Sequence, residues 1–332
     1  MFLNTERLKE LKDNFAGKRI AVIGDMMLDS YFWGVVKRIS PEAPVPVVEI
    51  DDEFFRFGGA ANVALNIASL GGIPLPVGII GNDNDGKIFR QLVSDNGIDS
   101  EGILIDETRP TTAKSRVIAA HQHIVRIDKE SKEYLTEESE NKILDFLRRK
   151  IDSIDAIILQ DYNKGVLTEK IIRESIRLAK EYGKIVTVDP KFLNFLEYKN
   201  VTLFKPNRKE TEDALGIRIN SEEEIEKAGR NLLEKLNSEY VLLTLGEKGI
   251  ALFQKDKKTF TLPTEARKAA DVSGAGDTVI STITMALCAG AGIEEAAYLA
   301  NYAGGLVCEV TGIVPIEIDN LFDTIAGRIN RK

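Results

Sequence analysis

The stretch DVSGAGDTV, Asp271 to Val279, places Gly274, Ala275, Gly276 and Asp277 directly ahead of an apolar run. Small residues at the start of a helix leave backbone N–H groups open to an anion, and the helix dipole favours negative charge there. Asp277 at the mouth of such an anion hole is placed to take a proton from an attacking hydroxyl while the hole steadies a transferring phosphoryl group. The same residues read as well as a glycine-rich helix entry with an acid in its first turn.

Three other segments have the same character. In RFGGAANVALNIASLGG (56–72), Gly58 and Gly59 make a turn that opens a helix, with Asn62 on its first turn, an arrangement suited to a small polar ligand. In KPNRKETE (205–212), Asn207 and Glu210 lie three residues apart. At that spacing they share a helix face and could hold hydrated Mg²⁺ or phosphate oxygens, or form a capping box. In LLTLGEKG (242–249), Thr244 and Gly246 sit at a strand-to-loop junction where a nucleotide could lie. In open α/β sheets, ligands bind at the carboxyl ends of the strands.

The elements that must position these residues alternate. Short β-branched runs at 19–24, 74–80, 155–160, 184–189, 201–205 and 240–245 read as strands buried on both faces. Helical patterns fall at 60–70, 85–95, 136–150, 168–182, 207–215 and 221–237. This rhythm predicts a parallel sheet with right-handed crossovers. Residues 35–57, with three prolines, and 111–128 alternate in polarity instead and predict a small antiparallel flap. Three helices are expected over 275–330, preceded by a short strand within 249–262. The expectation is one α/β domain over 1–332, with the lid pieces at about 35–57 and 111–128 inserted in it.

Composition narrows the classes. The chain has 332 residues, 43% hydrophobic and 29% charged, with 44 Lys and Arg against 52 Asp and Glu. That is enough chain for a large core, and the net charge of −8 argues against a general nucleic-acid or anionic-membrane surface. No signal-like segment or 18-residue apolar span stands out, so a cytoplasmic protein is expected. Cys288 and Cys308 read as reduced core residues. GNDNDGKI (81–88) imitates a phosphate-binding loop, but Ile88 stands where the Mg²⁺-binding hydroxyl belongs. The first strand is not followed by G-x-G-x-x-G, which argues against a dinucleotide-binding dehydrogenase. His121 and His123 alternate in the flap without a cysteine or acidic partner nearby, a poor metal set.

On these residues the chain resembles the PfkB (ribokinase-like) family of sugar kinases from about Lys18 to the last helix. GGAANVALNIASLGG is similar to the family's first signature, DVSGAGDTV to its second, and GIIGNDNDGKIFRQLVSDNGID to the block between them. Within the family, GDMMLDSYFWG, RISPEAPVPVVEI, RPTTAKSRVIA, DYNKGVL and VDPK are similar to the heptose-phosphate kinase subgroup. The resemblance implies a ribokinase-like fold: a mostly parallel central sheet flanked by helices, with a small antiparallel β lid. It implies Asp277 as catalytic base with Gly274 to Gly276 as its anion hole, and Asp29, Gly58, Gly59 and Asn62 as sugar contacts. It implies Asn207, Glu210, Thr244, Gly246 and Asn301 around ATP, with Glu210 organising Mg²⁺ through water. Asp271 and Ser273 match positions that hold a monovalent cation, usually potassium. Many members of the subgroup carry a fused nucleotidylyltransferase, an activity expected to be absent here or to reside on another chain.

The expected reaction is ATP-dependent phosphorylation of the anomeric hydroxyl of D-glycero-D-manno-heptose 7-phosphate, giving the 1,7-bisphosphate for ADP-heptose and lipopolysaccharide core synthesis. A substrate that already bears a phosphate needs cations to hold it. The candidates are Arg109, Lys114, Arg116, Arg126, Lys164 and Lys191, of which two or three are expected to touch it. Other acceptors, such as fructose 6-phosphate or ribose, stay open, as does a non-catalytic sugar or nucleotide sensor on the same fold. A homodimer with packed lids is expected, because exposed strand edges are commonly protected by pairing.

Overall fold

The structure, a computed structural model, describes residues 3–120, 122–265, 272–310 and 312–330. The amphipathic N-terminus forms α1 (Thr5–Phe15), capped by Asn4, whose side chain accepts the Arg7 N–H at 2.8 Å. Then follow β1 (Arg19–Gly24), β2 (Met26–Ile39), β3 (Pro46–Gly59), α2 (Ala60–Ser69), β4 (Ile73–Gly81), α3 (Asn84–Asp95) and β5 (Ile103–Asp106). Next come β6 (Thr112–Ala119), β7 (Gln122–Lys129), α4 (Glu137–Lys150), β8 (Ala156–Gln160), α5 (Glu169–Glu181), β9 (Ile185–Asp189) and β10 (Leu203–Phe204). The last third holds α6 (Arg208–Leu215), α7 (Glu222–Leu236), β11 (Tyr240–Thr244), β12 (Ile250–Gln254), β13 (Phe260–Leu262), α8 (Ala275–Cys288), α9 (Ile293–Cys308) and α10 (Ile318–Ile329).

Nine strands form one sheet in the order β13-β12-β11-β10-β9-β8-β1-β4-β5. It is parallel from β11 to β5, while β12 and β13 close one edge antiparallel. Alternation along each strand feeds two helical layers. Ile20, Val22, Ile158 and Leu242 pack toward α1, α2, α8, α9 and α10. Ala21, Ile23, Ile157, Leu159, Val241 and Leu243 pack toward α4, α5 and α7. That two-sided burial is why these strands read as continuous apolar runs.

The remaining four strands form a second sheet in the order β3-β2-β6-β7. Pairs β2–β3 and β6–β7 are antiparallel hairpins, but the central β2–β6 pair is parallel, with Asp29 opposite Lys114 and Tyr31 opposite Arg116. The reason is topological. Both hairpins leave the carboxyl edge of the parallel sheet in the same direction, β2 straight from β1 and β6 after β5, so their outgoing strands run side by side. Two elements differ from expectation. The region expected to hold one strand before the last helices folds as β12 and β13, and β2 begins at Met26. Met26 to Tyr31 are all buried, so this half of the strand lacks the alternation that marks the rest of the flap. Among the described residues, no helix is long and apolar enough to cross a membrane.

One close approach gives a test of the packing between α7 and the sheet. A Cβ on Gly229 would lie 2.3 Å from ring atoms of Phe253, which is fully buried. Alanine gains about 1 kcal/mol of helix propensity over glycine, but forcing a methyl into a filled core costs about 1–3 kcal/mol. Gly229→Ala is therefore expected to lower stability by about 1 kcal/mol net, read as a lower urea midpoint.

Candidate active site

Four parallel strands deliver polar residues to one place. Asp25 follows β1, Gln160 ends β8, Asp189 ends β9 and Lys205 follows β10. Opposite them, α8 begins at Gly274, whose φ of 80° is left-handed and suits glycine. This turn brings Asp277 over the strand ends. Its carboxylate is buried and fully engaged: Oδ2 accepts from the Asn62 amide at 2.7 Å, and Oδ1 from the Gln160 amide at 3.0 Å and the Tyr162 hydroxyl at 2.9 Å. Asp189 lies beside it, ion-paired to buried Lys205 at 3.0 Å. Burial pushes the Asp277 carboxyl up to about 6; Asn62 opposes the rise, the Asp189 charge adds to it, and Tyr162 and Lys205 oppose it. Such a group is ionised near neutral pH yet basic enough to accept a proton.

A cavity of about 930 Å³ runs from Tyr162 and Asp277 to Asn301 and Cys308, over the α8 turn. By position, Gly276 and Asp277 have no in-helix partner for their N–H groups, whereas the Ala275 N–H turns back to the Val272 carbonyl at 3.3 Å. A Cβ on Gly276 would meet only the Lys205 ammonium at 3.6 Å and the Asp189 carboxylate at 3.7 Å, so the turn stays open toward the cavity.

The structure brings all five expected nucleotide residues to this cavity. Asn207, Glu210, Thr244, Gly246 and Asn301 all line it. Asn207 and Glu210 form a capping box at α6: the Asn207 side chain accepts the Glu210 N–H, and Glu210 Oε2 accepts the Asn207 N–H at 2.8 Å. The other Glu210 oxygen pairs with Lys191, an ion pair that a Mg²⁺ ion near Glu210 would share or displace. Thr244 bridges to Asn207 across the sheet edge, Gly246 turns at φ 62°, and the Asn301 amide donates to the Pro263 carbonyl at 2.8 Å. Ser273 stands at the α8 turn, but Asp271 lies outside the described residues, as does His121. Among the described residues, no cluster of three or more His, Cys, Asp or Glu could hold a metal ion.

Asp29, Gly58, Gly59 and Asn62 lie beyond the cavity, at the root of the second sheet, and Asn62 reaches it through Asp277. Asp29 pairs with Arg116 at 2.6 Å. A Cβ on Gly58 would stand 2.7 Å from Asp29 Oδ2, so glycine makes room for that carboxylate. Gly59, at φ 58°, begins α2 with no space for a Cβ, which would be 2.3 Å from the Asp25 carbonyl. The six cations differ in how they are used. The Arg109 guanidinium donates to the Lys164 and Ser131 carbonyls at 2.5 and 3.4 Å. Lys164 pairs with Glu130 at 2.8 Å, and exposed Arg126 with Asp128 at 2.9 Å. Lys191 pairs with Glu210 and lies 5.3 Å from the Tyr162 ring; burial works against its charge, but Asp189 and Glu210 outweigh it and hold its pKa above the usual range. Among the described residues, Lys114 makes no ion pair; its ammonium lies 5.7 Å from the same ring. Burial holds its pKa below the usual lysine range, against the pull of Asp29.

Gln160, Tyr162, Asp189 and Lys205 are site residues that motif reading did not single out. Three of them end or follow neighbouring parallel strands, at the carboxyl edge where such sheets bind ligands.

The raised Asp277 pKa has a consequence for stability. The folded carboxyl keeps its proton to higher pH than the unfolded one, so this group costs stability as pH rises from about 4 to about 6, and the cost is complete above that. The rise corresponds to roughly 3 kcal/mol. Between about pH 4 and about pH 8 the stability of Asp277→Asn relative to the unaltered protein is expected to rise by up to that amount, on top of a pH-independent cost because asparagine turns an NH₂ group toward donors that the carboxylate accepts. Urea midpoints at the two pH values check it.

Comparison with known proteins gives the family and the fold. The profile of the pfkB family carbohydrate kinases matches residues 18–318. The bifunctional protein HldE of Desulfatibacillum aliphaticivorans is 42% identical over 303 residues, 91% of this chain and 62% of that protein. The bifunctional protein HldE of Helicobacter pylori (strain J99) is 43% identical over 290 residues, 87% of this chain and 62% of that protein. The chain thus spans about three fifths of the length of these relatives. Among solved structures, Arabidopsis thaliana ribokinase complexed with ribose and ATP superposes with a TM-score of 0.72 at 21% identity, covering 92% of this chain and 99% of that one. Escherichia coli phosphofructokinase-2 in complex with potassium gives 0.75 at 20% identity, covering 95% and 100%. The fold is ribokinase-like, and the chain belongs to the pfkB family of carbohydrate kinases, phosphotransferases that act on an alcohol group.

Proposed function

We propose that this chain phosphorylates the anomeric hydroxyl of D-glycero-D-manno-heptose 7-phosphate with ATP, giving the 1,7-bisphosphate, a precursor for ADP-heptose and the lipopolysaccharide core. Residues 1–332 act as one kinase domain whose four-stranded sheet is the lid. The observation that carries the kinase chemistry is Asp277, a buried carboxylate with its pKa raised to about 6 beside an open helix N-terminus. In this reading ATP fills the cavity lined by Asn207, Thr244, Gly246 and Asn301, with its terminal phosphate at the α8 turn. Asp277 removes the hydroxyl proton, and the Gly276 and Asp277 N–H groups meet the charge that spreads over the phosphoryl oxygens. Mg²⁺, when bound with the nucleotide, would add charge neutralisation there, with Glu210 reached through water. A monovalent cation beside Ser273 is part of the same proposal.

The sugar lies between Asp277 and the lid. Asn62 Oδ1 and Gln160 Oε1 are buried acceptors with no partner among the described residues, which suits a ligand rich in hydroxyl donors. Lys114 carries the choice of a phosphorylated sugar, because its half-buried ammonium is the one of the six cations without an anionic or carbonyl partner among the described residues. One aromatic ring, Tyr162, separates it from Asp277. The acceptor end and the phosphate end of one sugar could therefore be gripped together, with Lys164 adjacent.

The deciding assay mixes heptose 7-phosphate, ATP and Mg²⁺ and follows phosphorus NMR. A new anomeric phosphate signal is expected, and Asp277→Asn should lower turnover by about 10³-fold or more. Lys114→Met should raise KM for heptose 7-phosphate by about 10-fold or more while leaving unphosphorylated heptose unaffected. Equal turnover of ribose, or preference for fructose 6-phosphate, would remove the heptose assignment, and ligand binding without turnover would favour a sensor.

The lid carries exposed apolar side chains that a monomer would leave in water, among them Val35, Val36, Ile39, Ile50, Val125 and Ile127. They fit a second copy of the chain packed lid to lid. Sedimentation at micromolar concentration is expected to show a dimer, and Ile39→Glu with Ile127→Glu should shift it to monomer.

A further inference from the structure

The first of the connections between the two sheets is a single residue. β1 ends at Gly24, β2 begins at Met26, and Asp25 between them is buried. Its carboxylate faces the loop after β8. Oδ2 accepts the N–H groups of Tyr162 at 2.8 Å and Lys164 at 3.0 Å, and Oδ1 accepts that of Val166 at 3.1 Å. A carboxylate out of water is costly unless hydrogen-bonded, and three converging N–H groups offset that cost. The carbonyl side of the loop is held by Arg109, which lies on the crossing between the sheets from β5 to β6 and donates to the Lys164 carbonyl at 2.5 Å. Glu130, directly after β7 where the chain leaves the lid, pairs with the Lys164 side chain at 2.8 Å. Gly165 fixes the path of the loop: its φ is 88°, and a Cβ there would lie 2.0 Å from the Glu133 carbonyl. Three chain crossings thus converge on residues 161–166, and this loop supplies the Tyr162 hydroxyl that donates to Asp277 Oδ1 at 2.9 Å.

We propose that Asp25 is a positioning residue: with Arg109 it clamps loop 161–166 so that the Tyr162 hydroxyl meets Asp277, which ties the orientation of the base to the joint between the sheets. The proposal rests on Asp277 being the base, as argued above, but not on which sugar is the acceptor. Asparagine at position 25 keeps the shape but turns an NH₂ group toward at least one N–H donor, so the loop loses an acceptor it cannot replace. Asp25 itself does not line the cavity and makes no hydrogen bond to Asp277; it meets the lining only through the Tyr162 N–H.

The test is a double-mutant cycle on the full chain with its best sugar acceptor: Asp25→Asn, Tyr162→Phe and the two combined, with Asp277→Asn alongside. Each single variant is expected to lower kcat by about 10- to 100-fold, the scale of a small misplacement near the reacting atoms. KM for ATP in Asp25→Asn should stay within about threefold of the unaltered protein, and the double variant should fall no further than the weaker single. Losses that multiply in the double variant, or an Asp25→Asn kcat within about twofold of the unaltered protein, would overturn the positioning role. If Asp25→Asn does not fold, Arg109→Met takes its place in the cycle with the same two outcomes. Normal turnover by Asp277→Asn would instead sink the base assignment, so the two failures are told apart.

Discussion

The site turns on keeping one carboxylate charged where water is scarce. Asp277 is buried, and Asp189 adds a like charge nearby. Three donors, from Asn62, Gln160 and Tyr162, hold it in place without neutralising it, and Lys205 balances Asp189. Each donor comes from a different part of the fold: α2, the end of β8 and the loop after it. The parallel sheet is what makes that possible, because it brings strand ends distant in sequence to one edge. The helix entry at Gly274 then supplies the opposite wall.

The cavity and the region beyond Asp277 are built on different principles. The cavity is lined by backbone turns and by a capping box at α6, rigid features that would exist without any ligand. Asn207 and Glu210 illustrate how a local structural device and a binding feature coincide, since the bonds that cap the helix also aim the glutamate at Lys191. Beyond Asp277 the second sheet presents long side chains, where Asp29 and Arg116 pair and Lys114 makes no ion pair among the described residues. Rigid backbone thus faces adaptable side chains, with Asp277 at the boundary.

Much of this was legible in the sequence. The parallel strands stood out because strands buried on both faces are apolar without interruption, and the helical patterns at 136–150, 168–182 and 221–237 fold as α4, α5 and α7, capped by Thr136, Thr168 and Ser221. The glycine turn before Asp277 was legible for the same chemical reason. What was not legible depends on convergence. Gln160, Asp189 and Lys205 mean little singly and become a site only when strand order is known. Arg109 reads as a free cation in sequence, yet its guanidinium is spent on loop carbonyls. The first half of β2 hid because residues covered from both sides do not alternate. The parallel pairing at the centre of the lid follows from the direction in which two hairpins leave the main sheet, which no local pattern encodes.

Asp25 as a one-residue joint has a mechanical consequence. β2 runs from Met26 to Ile39, and at about 3.3 Å per residue the hairpin extends roughly 40 Å from that joint. It is a long lever on a short pivot: a turn of a few degrees that displaces atoms at the pivot by fractions of an ångström sweeps the Ser40–Pro44 bend through several. Contacts made far out on the hairpin therefore act on the pivot with large mechanical advantage, while the catalytic end has to tolerate only the smallest part of the motion.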